Sequence, residues 1–180
     1  MEWTETKLIL DEFGKQFIDA YRAGLDAKNA NASKDLYNSL NFEVKIGEQN
    51  ISLDIELNDY WKYLEYGCKG TESSYPEAYY PAHFPPTSAI EEWIKIKPVI
   101  PEKKEGEKLP TQKQLAFLIA RSINKIGIEP RFIFRDAGDT VWEQLKDALE
   151  DAITKDVNNN IKEVFKIFDF RENKYLKKIK

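Results

Sequence analysis

The chain is short of the residues from which catalytic and metal sites are most often built. Its 180 residues hold one cysteine, Cys68, one histidine, His83, and one methionine. A single cysteine allows no intrachain disulfide and no cysteine-cluster metal site, and a lone thiol fits a reducing compartment or a particle assembled in one. A single histidine leaves a zinc or non-haem iron site to carboxylates, an unfavourable ligand set. There is no H-E-x-x-H pair, no phosphate-cradling glycine loop and no dinucleotide fingerprint. No metal, no cofactor and no catalytic residue is therefore expected. No apolar run approaches the ~20 residues that cross a bilayer, so no membrane association is expected. Met1-Glu2-Trp3-Thr4 has neither a basic nor an apolar region, which predicts no signal peptide.

Charge is plentiful but unevenly placed. The net charge is −4. Residues 1–90 carry 8 Lys+Arg against 15 Asp+Glu, and residues 91–180 carry 19 against 16. The last ten residues hold five basic side chains and one acid. An acidic half and a basic tail suit an oriented surface contact, and they equally suit ordinary solvated charge.

Aromatics are abundant, with 4 Trp, 9 Tyr and 10 Phe. The densest stretch is Tyr60-Trp61-Lys62-Tyr63-Leu64-Glu65-Tyr66-Gly67. Aromatic surface is costly to leave in water, so core or partner must cover at least one face of it. Residues 4–28 read as a helix, with Leu10, Phe13, Phe17, Ala20, Tyr21 and Gly24 on one face and Thr4 or Thr6 as N-cap. Asn29–Ser33 reads as a break, and Asp35–Leu40 as a helical turn. Phe42, Val44 and Ile46, then Ile51, Leu53, Ile55 and Leu57, alternate with polar residues around Gly47-Glu48-Gln49-Asn50. That pattern predicts an antiparallel hairpin with one buried face. The aromatic stretch reads as a short helix that opens at Asn58 or Asp59 and ends at Gly67 as an αL cap.

Residues 68–86 read as a Tyr- and Pro-rich loop, and about Ser88–Ile96 as a helix with Ile90, Trp93 and Ile94. Residues 97–110 read as a linker whose charge run, Glu102–Lys108, is balanced. Thr111 and Gln114 make a capping box for a helix to Ile126, with Gly127 at C′ and an apolar stripe of Leu115, Leu118, Ile119, Ser122, Ile123 and Ile126. A last long helix begins near Phe132 or Phe134. Its stripe is Val141, Leu145, Ala148, Leu149, Ala152, Ile153 and Val157. Asn158–Asn160 are expected to kink or end it before Ile161, Val164, Phe165 and Phe168 resume the stripe.

The fold class expected is α+β: a small antiparallel sheet packed against several helices, with a long C-terminal helix. The hairpin is expected to lie under helices 4–28 and 111–126, with Ile128–Phe134 or Val99–Ile100 as further strands, because a lone hairpin is marginal in water. One domain over 1–157, with loop 68–86 and linker 97–110 as extensions, is followed by a helical extension and basic tail over 158–180. A chain of this size buries roughly 70% of its unfolded surface and needs no staple.

Few constellations carry chemistry. Cys68 and His83 share a loop, but a Cys-His site also needs an orienting group and an oxyanion hole. Glu91-Glu92 and Asp147/Glu150/Asp151 read as a solvated helix face. Arg171, Lys174, Lys177, Lys178 and Lys180, with Tyr175 among them, form a basic tail able to meet phosphates or an acidic protein.

Read in order, these segments resemble a known family. Ser33-Lys34-Asp35-Leu36-Tyr37-Asn38-Ser39-Leu40 looks like the small-x-x-Leu-x-x-Ser-hydrophobic element of tailed-bacteriophage head–tail joining (tail-completion, neck) proteins. Tyr60–Gly67 is similar to that family's aromatic-x-x-hydrophobic-Glu-aromatic-Gly segment. Pro86 and Trp93, then Ala116–Ile123, Gly127-Ile128-Glu129-Pro130 and the Phe-rich Arg131–Ala137 continue the pattern. The match spans about residues 4–155. Ser33 and Lys34 stand where the family usually carries glycine, and the chain extends past residue 157.

The resemblance implies a non-enzymatic virion protein, assembled in the host cytoplasm, that forms a homo-oligomeric ring between portal and tail. Its partners would be itself, portal, adaptor or other neck proteins, tail proteins, and packaged DNA in the channel. Interfaces favour Tyr, Trp, Phe and Arg. The interface candidates are Tyr60, Tyr63, Glu65, Tyr66, Tyr79, Tyr80, Phe84, Trp93 and Arg135, for which core packing is the alternative. The basic tail is the candidate contact to DNA or an acidic partner. Two other functions stand beside this one: a small cytoplasmic protein-binding module using loop 68–86, and, remotely, a hydrolase or nuclease using Cys68, His83 and Glu65.

Overall fold

Helix α1 (Thr4–Ala27) opens the chain. Its buried residues Phe17, Tyr21 and Leu25 recur every fourth position, which sets them on one face. A computed structural model describes residues 2–30, 34–48, 50–72, 75–101 and 108–176, the last ten of them as backbone only. Residues 31–33, Gln49, residues 102–107 of the charge run, the side chains of the basic tail from Arg171 onward and all of residues 177–180 lie outside the described residues.

Five further helices and four short strands follow among the described residues. They are α2 (Asp35–Ser39), the hairpin β1 (Asn41–Ile46) and β2 (Ile51–Glu56), α3 (Trp61–Tyr66), β3 (Cys68–Lys69), α4 (Thr87–Ile96), α5 (Gln112–Ile126), β4 (Gly127–Ile128) and α6 (Ile133–Leu176). The class is α+β with a long C-terminal helix.

These elements sort into two interleaved compact units. One takes Met1–Asp19, Asn41–Ile55 and Gly138–Lys180; the other takes Ala20–Leu40 and Glu56–Ala137. In the first, Gly14 lies directly under the ring of Phe42 from β1, where any side chain would collide with it. In the second, α4 packs on α5. Ala116 and Ala120 of α5 are completely buried.

Several expectations need correction. The strands form not one sheet but two separate two-stranded ladders, β1–β2 and β3–β4. β4 overlaps the expected 128–134 strand only at Ile128, and Val99–Ile100 is not a strand. β3 and β4 run antiparallel, pairing Cys68 with Ile128 and Lys69 with Gly127. The hairpin and α5 belong to different units. On α5 the capping box is present, with the Gln114 N–H donating to Thr111 Oγ1 at 3.3 Å and the Thr111 N–H to Gln114 Oε1 at 2.9 Å. The buried stripe, however, is rotated to Ala116 and Ala120, leaving Leu118 and Ile126 exposed. Alanine counts weakly in a periodicity reading, so the larger residues drew the stripe to the wrong face.

Gly67 has φ 62° and ψ 177°, an extended conformation with positive φ, not an αL cap. α3 opens at Trp61, not at Asn58 or Asp59, and no side chain caps it. α6 runs through Asn158–Asn160 without ending. The Asn160 amide explains why asparagine is tolerated there. Its Nδ2 donates to the carbonyls of Asp156 at 2.7 Å and Glu2 at 2.9 Å, while its Oδ1 accepts from the Glu2 N–H at 2.9 Å. The side chain thus ties the N-terminal residue Glu2 to the helix.

Candidate functional site

The aromatic stretch is anchored from its inward face. Trp61 stacks on Phe134 with ring centroids 4.8 Å apart. The carbonyls of Leu64 and Glu65 accept from the N–H groups of Arg131, at 2.8 Å, and Phe132, at 3.3 Å. Phe132 takes φ +48°, an uncommon conformation for a bulky residue, and its position just before α6 leaves that helix without a side-chain cap of its own.

Glu65 fills the gap. Its Oε2 accepts from the Phe134 N–H at 2.7 Å and its Oε1 from the Arg135 N–H at 3.1 Å. These are the second and third helical residues, the same two donors that an N-cap side chain would satisfy. A carboxylate there also meets the positive end of the helix dipole. Glu65 is 3% exposed. The expectation of an interface residue is corrected: this carboxylate is engaged inside its own chain. The nearby Tyr21 hydroxyl is pushed well above its usual range, by burial first and then by the charge of Glu65.

The outward face carries tyrosines. Tyr63 lies 4.8 Å from Tyr80, Tyr80 lies 5.3 Å from Tyr79, and Tyr79 lies 6.1 Å from Tyr66, centroid to centroid. Backbone bonds hold this chain of rings in place. The Tyr79 N–H donates to the Tyr66 carbonyl at 2.8 Å, the Tyr80 N–H to Gly67 at 3.3 Å, and the Lys69 N–H to Tyr80 at 2.8 Å. The expected loop 68–86 is thus tied along the β3 segment by a parallel bridge between Cys68 and Tyr80. Tyr60, Tyr63, Tyr66 and Phe84 are exposed, and Tyr79 is 74% exposed. Tyr80 and Trp93 are half-buried. Phe84 packs on Phe117 at 6.0 Å. Arg135 lies over the Phe132 ring at 4.1 Å and pairs with Asp136 at 3.1 Å.

Beside the tyrosines opens an apolar cleft of about 600 Å³. Tyr60, Tyr63 and Tyr80 line it together with Pro81, Ala89 and Ile123. Sequence reasoning missed Ala89 and Ile123; the cluster of prolines was the available signal. Cys68 and His83 also border the cleft. Burial pushes the Cys68 thiol up, away from the thiolate a nucleophile requires. With Glu65 committed to α6, the Cys-His-Glu set lacks both an activated nucleophile and a free carboxylate. The chemistry on offer is recognition by rings and apolar surface.

A second carboxylate repeats the Glu65 device in the other unit. Asp156 of α6 accepts from the N–H groups of Glu5 at 3.1 Å and Thr6 at 2.8 Å, capping α1 at its second and third residues. It replaces the expected Thr4 or Thr6 cap. Burial pushes the Asp156 carboxyl up, but the groups contributed by Thr6, Glu5 and Thr4 outweigh it and hold it below the usual carboxylate range. Its sequence signal is an acid one turn after Ala152, inside an apolar stripe.

Among the described residues no helix is long and apolar enough to cross a membrane. Among the same residues no three His, Cys, Asp or Glu side chains are gathered as metal ligands would be. No family model, curated protein or solved structure matches the chain.

Proposed function

We propose that this chain is a structural subunit of a tailed-bacteriophage neck, a ring-forming head–tail connector that joins portal or adaptor to tail. The observation that carries the reading is the row of tyrosines, exposed Tyr63, Tyr79 and Tyr66 with half-buried Tyr80 among them, mounted on a backbone that hydrogen bonds hold fixed. Rigid aromatic surface gives contact area at small entropic cost, which is what a permanent protein interface uses. The resemblance of the segment order supplies the class. The family's aromatic-Glu-aromatic-Gly element also makes physical sense here, because Glu65 seats the long helix while its neighbours face outward.

The test is genetic and structural. Deleting the gene leaves filled heads and unjoined tails in electron micrographs, and wild-type protein restores joining. The double substitution Tyr79→Ala with Tyr80→Ala restores it poorly. Particles that join normally without the chain, or that do not contain it, overturn the reading.

A further inference from the structure

We infer that the exposed apolar stripe near the end of α6 in one copy docks in the tyrosine cleft of the next copy. This inference rests on the ring-forming reading above and names the two surfaces that would close the ring.

The stripe is Ile161, Val164 and Phe165, at spacings of three and four on one helix face. They are 46%, 52% and 64% exposed. Apolar side chains gain free energy when they leave water, so three exposed together favour a covering partner. The cleft is the matching deficit, an apolar concavity of about 600 Å³ bordered by Tyr60, Tyr63 and Ala89. An amphipathic helix laid in an apolar groove is a recurrent recognition mode, read by anchors at these spacings.

Charge selects the occupant. The segment that supplies most of the cleft's lining, residues 56–96, carries seven Asp or Glu against three Lys. Residues 161–180, which carry the stripe, hold seven Lys or Arg against three Asp or Glu. The one partner guaranteed to present this stripe followed in sequence by a basic tail is a second copy of the chain. Because stripe and cleft are different patches, the contact is heterologous, and repeating it closes a ring or extends a filament.

Two substitutions on exposed residues separate the halves. Phe165→Glu removes the anchor and leaves the cleft intact. Ala89→Arg fills the cleft with the wrong charge and leaves the stripe intact. Far-UV circular dichroism confirms that both variants keep their helices. In sedimentation velocity the wild type forms species larger than a dimer, and each variant alone is a monomer. An equimolar mixture gives a dimer of twice the 21.0 kDa chain mass, because one functional cleft meets one functional stripe. A monomeric wild type, a variant that assembles like wild type, or a mixture that stays monomeric overturns the inference. Wild-type rings that neither substitution disturbs overturn this docking alone and leave the ring reading standing.

Discussion

Glu65 Oε2 accepts the N–H of Phe134 at 2.7 Å, across 69 residues of sequence. The carboxylate does for α6 what an N-cap side chain does, but from a different helix. Its placement turns the aromatic stretch from a patch of sticky residues into a two-sided element. One side seats the longest helix, and the other presents tyrosines.

Glu65→Ala leaves two N–H groups of the first turn of α6 without their acceptor, in a site 3% exposed at the acid. Loss of a cap and of charge-assisted bonds together costs about 2–3 kcal/mol. Glu65→Gln, which keeps one acceptor, loses less. Urea unfolding monitored by tryptophan fluorescence measures both; an unchanged midpoint for Glu65→Ala contradicts the cap.

Asp156→Ala removes the equivalent cap from α1 and costs about 1–2 kcal/mol at neutral pH. The pH dependence follows from the lowered carboxyl. Its contribution is complete above its unfolded value, about pH 4, and disappears as the pH falls through the lower folded value. Wild type and Asp156→Ala should therefore differ in stability at pH 7 and converge in strong acid. A constant difference between them across that window would contradict this account.

Gly67→Ala is destabilising for two independent reasons. The residue has φ 62°, and a β-carbon would lie 2.8 Å from the Pro130 nitrogen and 2.9 Å from its Cδ. Strain of this kind costs roughly 1–3 kcal/mol. The thermal midpoint should fall clearly, and fall further for Gly67→Val. If Gly67→Ala melts with the wild type, the segment does not approach Pro130 as described.

Cys68 should be a slow thiol. It is 7% exposed, and burial raises its pKa. Reaction with a disulfide reagent at mild alkaline pH should be at least about tenfold slower than in the urea-unfolded chain, since the thiolate is the reacting form. A rate equal to that of the unfolded chain would restore Cys68 as a candidate nucleophile.

Tyr79→Ala should leave stability within about 0.5 kcal/mol of wild type, as substitutions at exposed positions generally do. Assembly into particles should nonetheless weaken. A matched loss of both would make Tyr79 a packing residue and remove it from the interface set.

What was readable in advance is what local physics dictates. The helices over 4–27 and 112–126, the hairpin, the capping box at Thr111 and Gln114, and the start of α6 within one residue of Phe132 or Phe134 all follow from periodicity and turn chemistry. The buried stripe of α5 was not readable, because the residues that turn inward are the small Ala116 and Ala120, which a hydrophobic periodicity weighs less than leucine. Nor were the β3–β4 and Tyr80 pairings, in which two-residue segments are too short to show alternation.

Sequence order alone settles that the chain carries a surplus of aromatics around an acid and a glycine, and that its charge separates toward the two ends. Tertiary structure decides which face of that surplus is spent. Hydrogen bonds from Phe134 and Arg135 draw Glu65 inward, while those from Tyr79 and Tyr80 to the backbone of Tyr66 and Gly67 hold the rings outward. Periodicity is local and reports one element at a time. A buried carboxylate is tolerated only where unsatisfied donors meet it, and those donors lie more than sixty residues away.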